Sequence, residues 1–190
     1  MGTTVVVVAG GAGTRFSAVR PGADKLRAPL GGSTVLDTLL AGLGGFEVVL
    51  VGPGGVREDP PGGGPLAGFA AGLATTSAEV VVLLGADQPF AASAVERLVA
   101  ALRAHPEADA VIGVDPDGRR QPLLSAHRRS AAVRVLDGLP AVAGRPLREV
   151  FRGAVVEVPV SALEALDVDD PDDLARAQAL LERAGDEGPT

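Results

Sequence analysis

Val5, Val6, Val7 and Val8 form an unbroken β-branched run, and Gly10, Gly11 and Gly13 follow almost at once. Four such residues in a row suit a strand covered on both faces. Glycine lets the chain turn sharply and leaves its N–H open to a ligand, with no Cβ in the way. Bare N–H groups at the end of a parallel strand make an anion cradle, and Arg15 and Lys25 add full positive charge to the same mouth. A phosphate chain fits that mouth. A tight strand-to-helix turn without a ligand uses the same glycines, so the loop alone leaves both readings open. Two familiar phosphate loops do not match. Phe16 stands where a dinucleotide fingerprint needs glycine, and no Gly-Lys-Ser/Thr tripeptide follows.

The 190 residues suit one domain, 1–184, with a frayed tail expected at 185–190. With 46% hydrophobic residues the chain is globular in composition rather than disordered. No apolar run approaches the roughly 20 residues that cross a bilayer. The valine run has no basic segment ahead of it, so no signal peptide is expected and a cytoplasmic location is. The absence of cysteine excludes disulfides, thiolate metal sites and cysteine nucleophiles. Net charge −7, no Trp or Tyr and five Phe argue against a nucleic-acid partner. Against that acidic background, Arg15, Arg20, Lys25 and Arg27 around one glycine loop favour a small anionic ligand, with solvated arginines as the alternative.

Alternating patterns predict strands near 46–51, 80–84, 110–114 and 155–158. They predict helices from Val35 to Leu43, from Pro65 to Ala74 and from Ser93 to Ala104, with further helical pieces at 131–139 and 146–151 and a terminal helix from Pro171. The Asp115-Pro116-Asp117-Gly118 turn suggests a returning strand over 121–125. The expected fold is α/β, a single three-layer α/β/α domain on a mostly parallel, Rossmann-like sheet. Ligands of such sheets bind beyond the carboxyl ends of the strands. Asp59 and Asp87 follow the second and third predicted strands, which puts them on the rim of the glycine loop. A carboxylate there can hold Mg²⁺ while phosphates supply other oxygens; for Asp87 the alternative is a helix cap. In Asp167-Val168-Asp169-Asp170-Pro171-Asp172-Asp173, Asp170 reads as the cap and Asp172 and Asp173 as first-turn acids. Asp167 and Asp169 fall outside that explanation, and Asp169 is the candidate to complete a metal site. His105 and His127 have no partner pattern, and no G-x-S-x-G elbow exists.

Five motifs in order make the chain resemble the molybdenum cofactor guanylyltransferase family over most of its length. They are Val8-Ala9-Gly10-Gly11-Ala12-Gly13-Thr14-Arg15-Phe16-Ser17 with Lys25, then Gly64-Pro65-Leu66-Ala67-Gly68, then Asp87-Gln88-Pro89-Phe90. Asp117-Gly118-Arg119-Arg120-Gln121-Pro122-Leu123 and the segment from Asp167 to Leu174 complete the set. The resemblance implies a fold of the nucleotide-diphospho-sugar transferase type. It implies an Mg²⁺-dependent nucleotidyltransferase that moves GMP from GTP to molybdopterin with release of pyrophosphate. It further implies nucleotide binding by Ala9, Gly10, Gly11, Ala12, Gly13, Arg15, Lys25, Asp59 and Asp87. Arg15, Lys25 and Asp87 would be catalytic, and Asp87 and Asp169 would hold metal. The acceptor would approach Arg119–Leu123, a stretch that also reads as a hairpin with solvated arginines. Neither nucleic acid nor membrane is an implied partner, whereas transient contact with proteins of the cofactor pathway is. Arg15 and Lys25 lie ten positions apart, more than in the family. Gly13 replaces the loop serine, Phe16 the methionine, and Val51-Gly52-Pro53 lacks a base-contacting asparagine. The late aspartates match related cytidylyltransferases. A cytidylyltransferase or another small-phosphate nucleotidyltransferase therefore stays open, as does a nucleotide-binding module without turnover.

Overall fold

A computed structural model describes residues 2–10, 16 and 23–186. The valine run is strand β1, Thr3–Val8. A two-stranded ribbon, β2 (Pro29–Leu30) and β3 (Ser33–Thr34), precedes helix α1, Val35–Gly42. Thr34 caps α1 by accepting from the Asp37 N–H, as a threonine ahead of an apolar face should. Then come β4 (Glu47–Val51), α2 (Pro65–Ala74), β5 (Val80–Gly85), a 3₁₀ turn at Ala91–Ala94 and α3 (Val95–Ala104). The second half holds β6 (Ala110–Val114), β7 (Arg120–Arg128), α4 (Arg129–Asp137), a 3₁₀ turn at Leu147–Val150, β8 (Val155–Pro159) and α5 (Pro171–Asp186). The terminal helix thus runs two residues into the stretch expected to fray, and 187–190 lie outside the described residues. Among the described residues no helix is long and apolar enough to cross a membrane.

The main sheet has the order β4-β1-β5-β7-β6-β8. All neighbours are parallel except β7, which runs antiparallel between β5 and β6. Alternation along the strands divides the core. Val5 and Val7, with Val82 and Leu84, pack with Leu39, Leu98 and Leu102 of α1 and α3. Val6 and Val8, with Val81 and Leu83, pack with Leu66, Phe69 and Leu73 of α2 and with Ala132 of α4. Both faces are covered, which explains the unbroken apolar strands. A third cluster joins Phe16, Leu30 and Val35 to Val168, Leu174 and Ala177, and so ties α5 to the ribbon.

Helix α2 approaches β1 closely at Gly68 and Gly72, between its larger inward residues. A Cβ on Gly72 would lie 2.5 Å from a Val6 methyl and 3.1 Å from a Val51 methyl. Gly72→Val therefore drives branched atoms into a filled layer. It is expected to lower stability by about 1–3 kcal/mol, measured by urea denaturation, with the m-value unchanged.

The returning strand is longer than the sequence suggests, because Leu124 to Arg128 pair with β5 and Ser125 to His127 pair with β6 as well. The register shifts at the bulge, where Ile112 faces Ser125 but Gly113 faces Gln121. Pro122 and Leu123 fall in that shift, so β7 splays at the same rim on which β1 and β5 end.

Candidate active site

Strands β1, β4 and β5 point the same way, so Val8, Val51 and Gly85 end together. The Ala9 N–H donates to Val51 O at 2.7 Å and the Ala86 N–H to Val8 O at 3.0 Å. Gly10 is exposed just beyond them. Gly11, Ala12, Gly13 and Arg15 of the expected cradle lie outside the described residues, as does Arg20. Arg27 extends into solvent and meets Asp24 at 3.7 Å.

Asp87 follows β5 in a tight turn. The Gln88 side-chain oxygen accepts from the Gly85 N–H at 3.1 Å, and the Gln88 N–H donates to Gly85 O at 3.2 Å. A Cβ on Gly85 would stand 2.7 Å from Asp87 Oδ1, so only glycine lets the carboxylate fold back over the strand end. The cap alternative fails, since neither the Ala91–Ala94 turn nor α3 has a side-chain cap. Asp87 instead meets Lys25, whose Nζ donates to Asp87 Oδ2 at 2.6 Å and to Asp169 Oδ1 at 2.9 Å. Asp24 caps the short turn Lys25–Arg27 and fixes its main chain. Asp169 is placed from the other side. The Val168 N–H donates to Asp87 O at 2.9 Å, and Asp173 accepts from the Asp169 and Asp170 N–H groups. Asp170 in turn accepts from the Asp172 and Asp173 N–H groups, which makes a reciprocal cap for α5.

The lysine side chain is 10% exposed, against 22% for Asp87 and 38% for Asp169. Burial alone would favour the neutral amine. The Asp87 carboxylate, with Asp169 behind it, outweighs burial and holds the Lys25 pKa above the ordinary lysine value. The ammonium therefore stays charged at neutral pH. Lys25 is also the single lysine of the chain, a signal that the count of basic residues conceals.

One cavity lies at this centre, a second adjoins it, and a third is lined by chain neighbours of Leu123 and Asp169. The smallest, 80 Å³, lies between Ala9, Gly10, Lys25, Pro65, Asp87 and Leu123. It shares Ala9 and Gly10 with a 310 Å³ cavity walled by Gly52, Pro53, Arg57, Glu58, Pro61 and Gly62. There Glu58, not Asp59, is the acid in the wall. Glu58 Oε1 accepts from the Gly62 N–H at 2.8 Å, and Oε2 is buried with no hydrogen-bond partner among the described residues. Asp59 is exposed and does not line the cavity. The Glu58-Asp59 pair was visible in the sequence, but which of two adjacent acids turns inward depends on the loop. The third cavity, 380 Å³, lies between the β6–β7 turn and α5, with Arg119, Gln121, Asp167, Asp173 and Arg176 in its wall. Residues 119–123 thus run from this cavity to the lysine. Asp167 lines the third cavity rather than joining Asp169 at the lysine. Partial desolvation, and then the negative charge of Asp169, raise its pKa. His105 is exposed beside Glu107, and His127 is buried on β7 away from the rim.

A model of the MobA-like NTP transferase domain matches residues 5–158, which include β1, Lys25, Asp87 and β7. The chain belongs to the MobA-like NTP transferase family. A molybdenum cofactor guanylyltransferase of Mesorhizobium japonicum is 32% identical over 203 aligned positions, covering 93% of this chain and 95% of its own. Two solved structures share the fold. Molybdopterin-guanine dinucleotide biosynthesis protein A from Archaeoglobus fulgidus aligns with TM-score 0.69 and 24% identity, over 95% of this chain and 99% of its own. Rv0371C of Mycobacterium tuberculosis, in complex with manganese, aligns with TM-score 0.65 and 23% identity, over 94% and 98%. The MobA-like frame and the rim chemistry agree on a nucleotidyltransferase.

Proposed function

We propose that this chain transfers GMP from GTP to the phosphate of molybdopterin, releases pyrophosphate, and requires Mg²⁺. The observation that carries the reading is the convergence of Asp87 and Asp169 on one cationic nitrogen, beside a small cavity that shares Ala9 and Gly10 with a larger one. The molybdenum cofactor guanylyltransferase similar to this chain supports the choice of acceptor. The acid pair fits a hard cation, because two carboxylate oxygens already approach a single positive charge. Asp87 and Asp169 would hold Mg²⁺, and the bound ion would neutralise charge on the phosphates and the leaving pyrophosphate.

An oxygen of the acceptor phosphate forms the new bond to the α-phosphorus. The α–β bridging bond breaks, and its electron pair leaves with pyrophosphate. The attacking oxygen is already ionised, so no side chain need remove a proton. Lys25 and the Gly10 end of β1 bind and orient the triphosphate, while residues 119–123 orient the acceptor.

The unpartnered Glu58 oxygen supports guanine in the 310 Å³ cavity. Guanine is the base that offers two adjacent N–H donors, N1–H and the 2-amino group, to one carboxylate. Cytosine offers one such donor, its 4-amino group, with the N3 acceptor beside it facing the second oxygen. Glu58→Gln is expected to reduce the preference for GTP over CTP by about 10- to 100-fold, read as a ratio of kcat/KM values. The reaction is tested by pyrophosphate release from GTP, CTP, ATP and UTP with Mg²⁺, with and without molybdopterin. Release from GTP that requires molybdopterin is the expected result. Preference for CTP would make the chain a cytidylyltransferase, and tight binding without release a nucleotide-binding module.

A further inference from the structure

The oxygens that would take the divalent ion are the oxygens that the Lys25 ammonium holds, at 2.6 and 2.9 Å. A Mg²⁺–oxygen bond is about 2.1 Å long, so an ion on both acids would displace the ammonium from between them. One cation must leave before the other enters. Loss of the lysine charge alone would leave two carboxylates facing each other without a counter-charge. Among the described residues no group of three or more His, Asp or Glu side chains could hold a metal ion. The two acids therefore fill only part of an octahedral shell, and the other oxygens come from ligand and water. A nucleoside triphosphate brings both missing parts into the 80 Å³ gap: negative charge to draw the ammonium away and oxygens to complete the shell. The lysine stem has four rotatable carbons, while Asp24 anchors its main chain, so the head can move without the loop.

We propose that Lys25 is an internal placeholder for the divalent cation, which holds Asp87 and Asp169 together until a nucleoside triphosphate draws it away and makes metal binding conditional on nucleotide. The inference rests on reading the site as a nucleotidyl-transfer centre.

The test is calorimetric titration of Mn²⁺ into the full chain without nucleotide, comparing wild type with Lys25→Met. Methionine keeps the length of the stem and removes the charge. The variant is expected to bind Mn²⁺ at least about tenfold more tightly than wild type. Adding Asp87→Asn to that variant is expected to abolish the gain. Equal affinity in wild type and Lys25→Met overturns the proposal. If the variant does not fold, ¹⁵N-lysine labelling of the wild-type chain gives one side-chain resonance, because there is one lysine. A non-hydrolysable GTP analogue is expected to shift that resonance, while Mg²⁺ alone at equal occupancy of solution leaves it in place. A shift with Mg²⁺ alone overturns the proposal. Neither measurement reads transfer. A chain that shows the lysine effect but makes no product loses its proposed reaction and keeps the placeholder.

Discussion

Asp87→Asn is expected to lower kcat by about 10²- to 10³-fold and to leave the melting temperature within a few degrees of wild type. The two halves of that result have separate causes. Asparagine matches aspartate in volume, so the turn built on Gly85 and Gln88 can persist. Its side chain is neutral, so Lys25 keeps only Asp169 as an anionic partner among the two it now holds. On the proposed reading, a hard divalent ion would lose the more buried of its two carboxylates. Steady-state pyrophosphate release at saturating nucleotide, with circular-dichroism melting as the control, separates lost chemistry from lost fold. A variant with wild-type kcat at limiting Mg²⁺ would remove Asp87 from the centre.

Stability is expected to fall as pH drops from about 6.5 toward 3, by an amount on the order of 4 kcal/mol attributable to one residue. His127 is fully buried between the rings of Phe69 and Phe151, at centroid distances of 5.0 and 5.1 Å, and pairs with the Ser125 hydroxyl at 2.9 Å. Burial pushes its pKa down to about 3. Above the ordinary value of 6.5 neither state holds the proton. Below it the unfolded chain takes a proton that the native fold refuses, so unfolding gains with each unit of acid until about pH 3. Glu164 also weakens the fold in acid, but in another window. Burial alone would raise its pKa; hydrogen bonds from the Ser161 N–H, Arg97 and Ser93 outweigh burial and lower it. Its contribution is present above the ordinary carboxylate value of 4.5 and goes below that. Asp167 acts with the opposite sign, since its raised pKa makes folding gain as the pH falls toward the carboxylate range, so His127 is reported by the part of the slope between pH 6.5 and 5 that its replacement removes. In His127→Gln, whose amide can still meet Ser125, that slope should flatten in urea denaturation series. An unchanged slope would mean that the buried imidazole does take a proton.

The order of elements was legible because it depends on local pattern. The run Val5–Val8, the small helix after Pro65 and the cap at Asp170 each fall where the sequence places them. The length of β7 was not legible, since Ser125 to Arg128 look polar and gain strand structure only from β5 on one side and β6 on the other. The two-residue strands β2 and β3 escape any periodicity. At the rim, the sequence puts Lys25 and Asp87 at one mouth, but the direct ion pair between them was not legible. The ion pair with Asp169, 144 positions away, is a tertiary fact. The same holds for Glu58: composition marks an acid in the loop after β4, but only the fold decides which of Glu58 and Asp59 turns inward.

The most direct measurement of the central claim follows the label from GTP carrying ³²P in the α position, incubated with molybdopterin, Mg²⁺ and the wild-type chain. The account predicts that the label appears in a molybdopterin–guanine dinucleotide, while label placed in the γ position leaves as pyrophosphate. Both labels remaining in GTP, or the α label leaving as free GMP with no dipendence on molybdopterin, would contradict it.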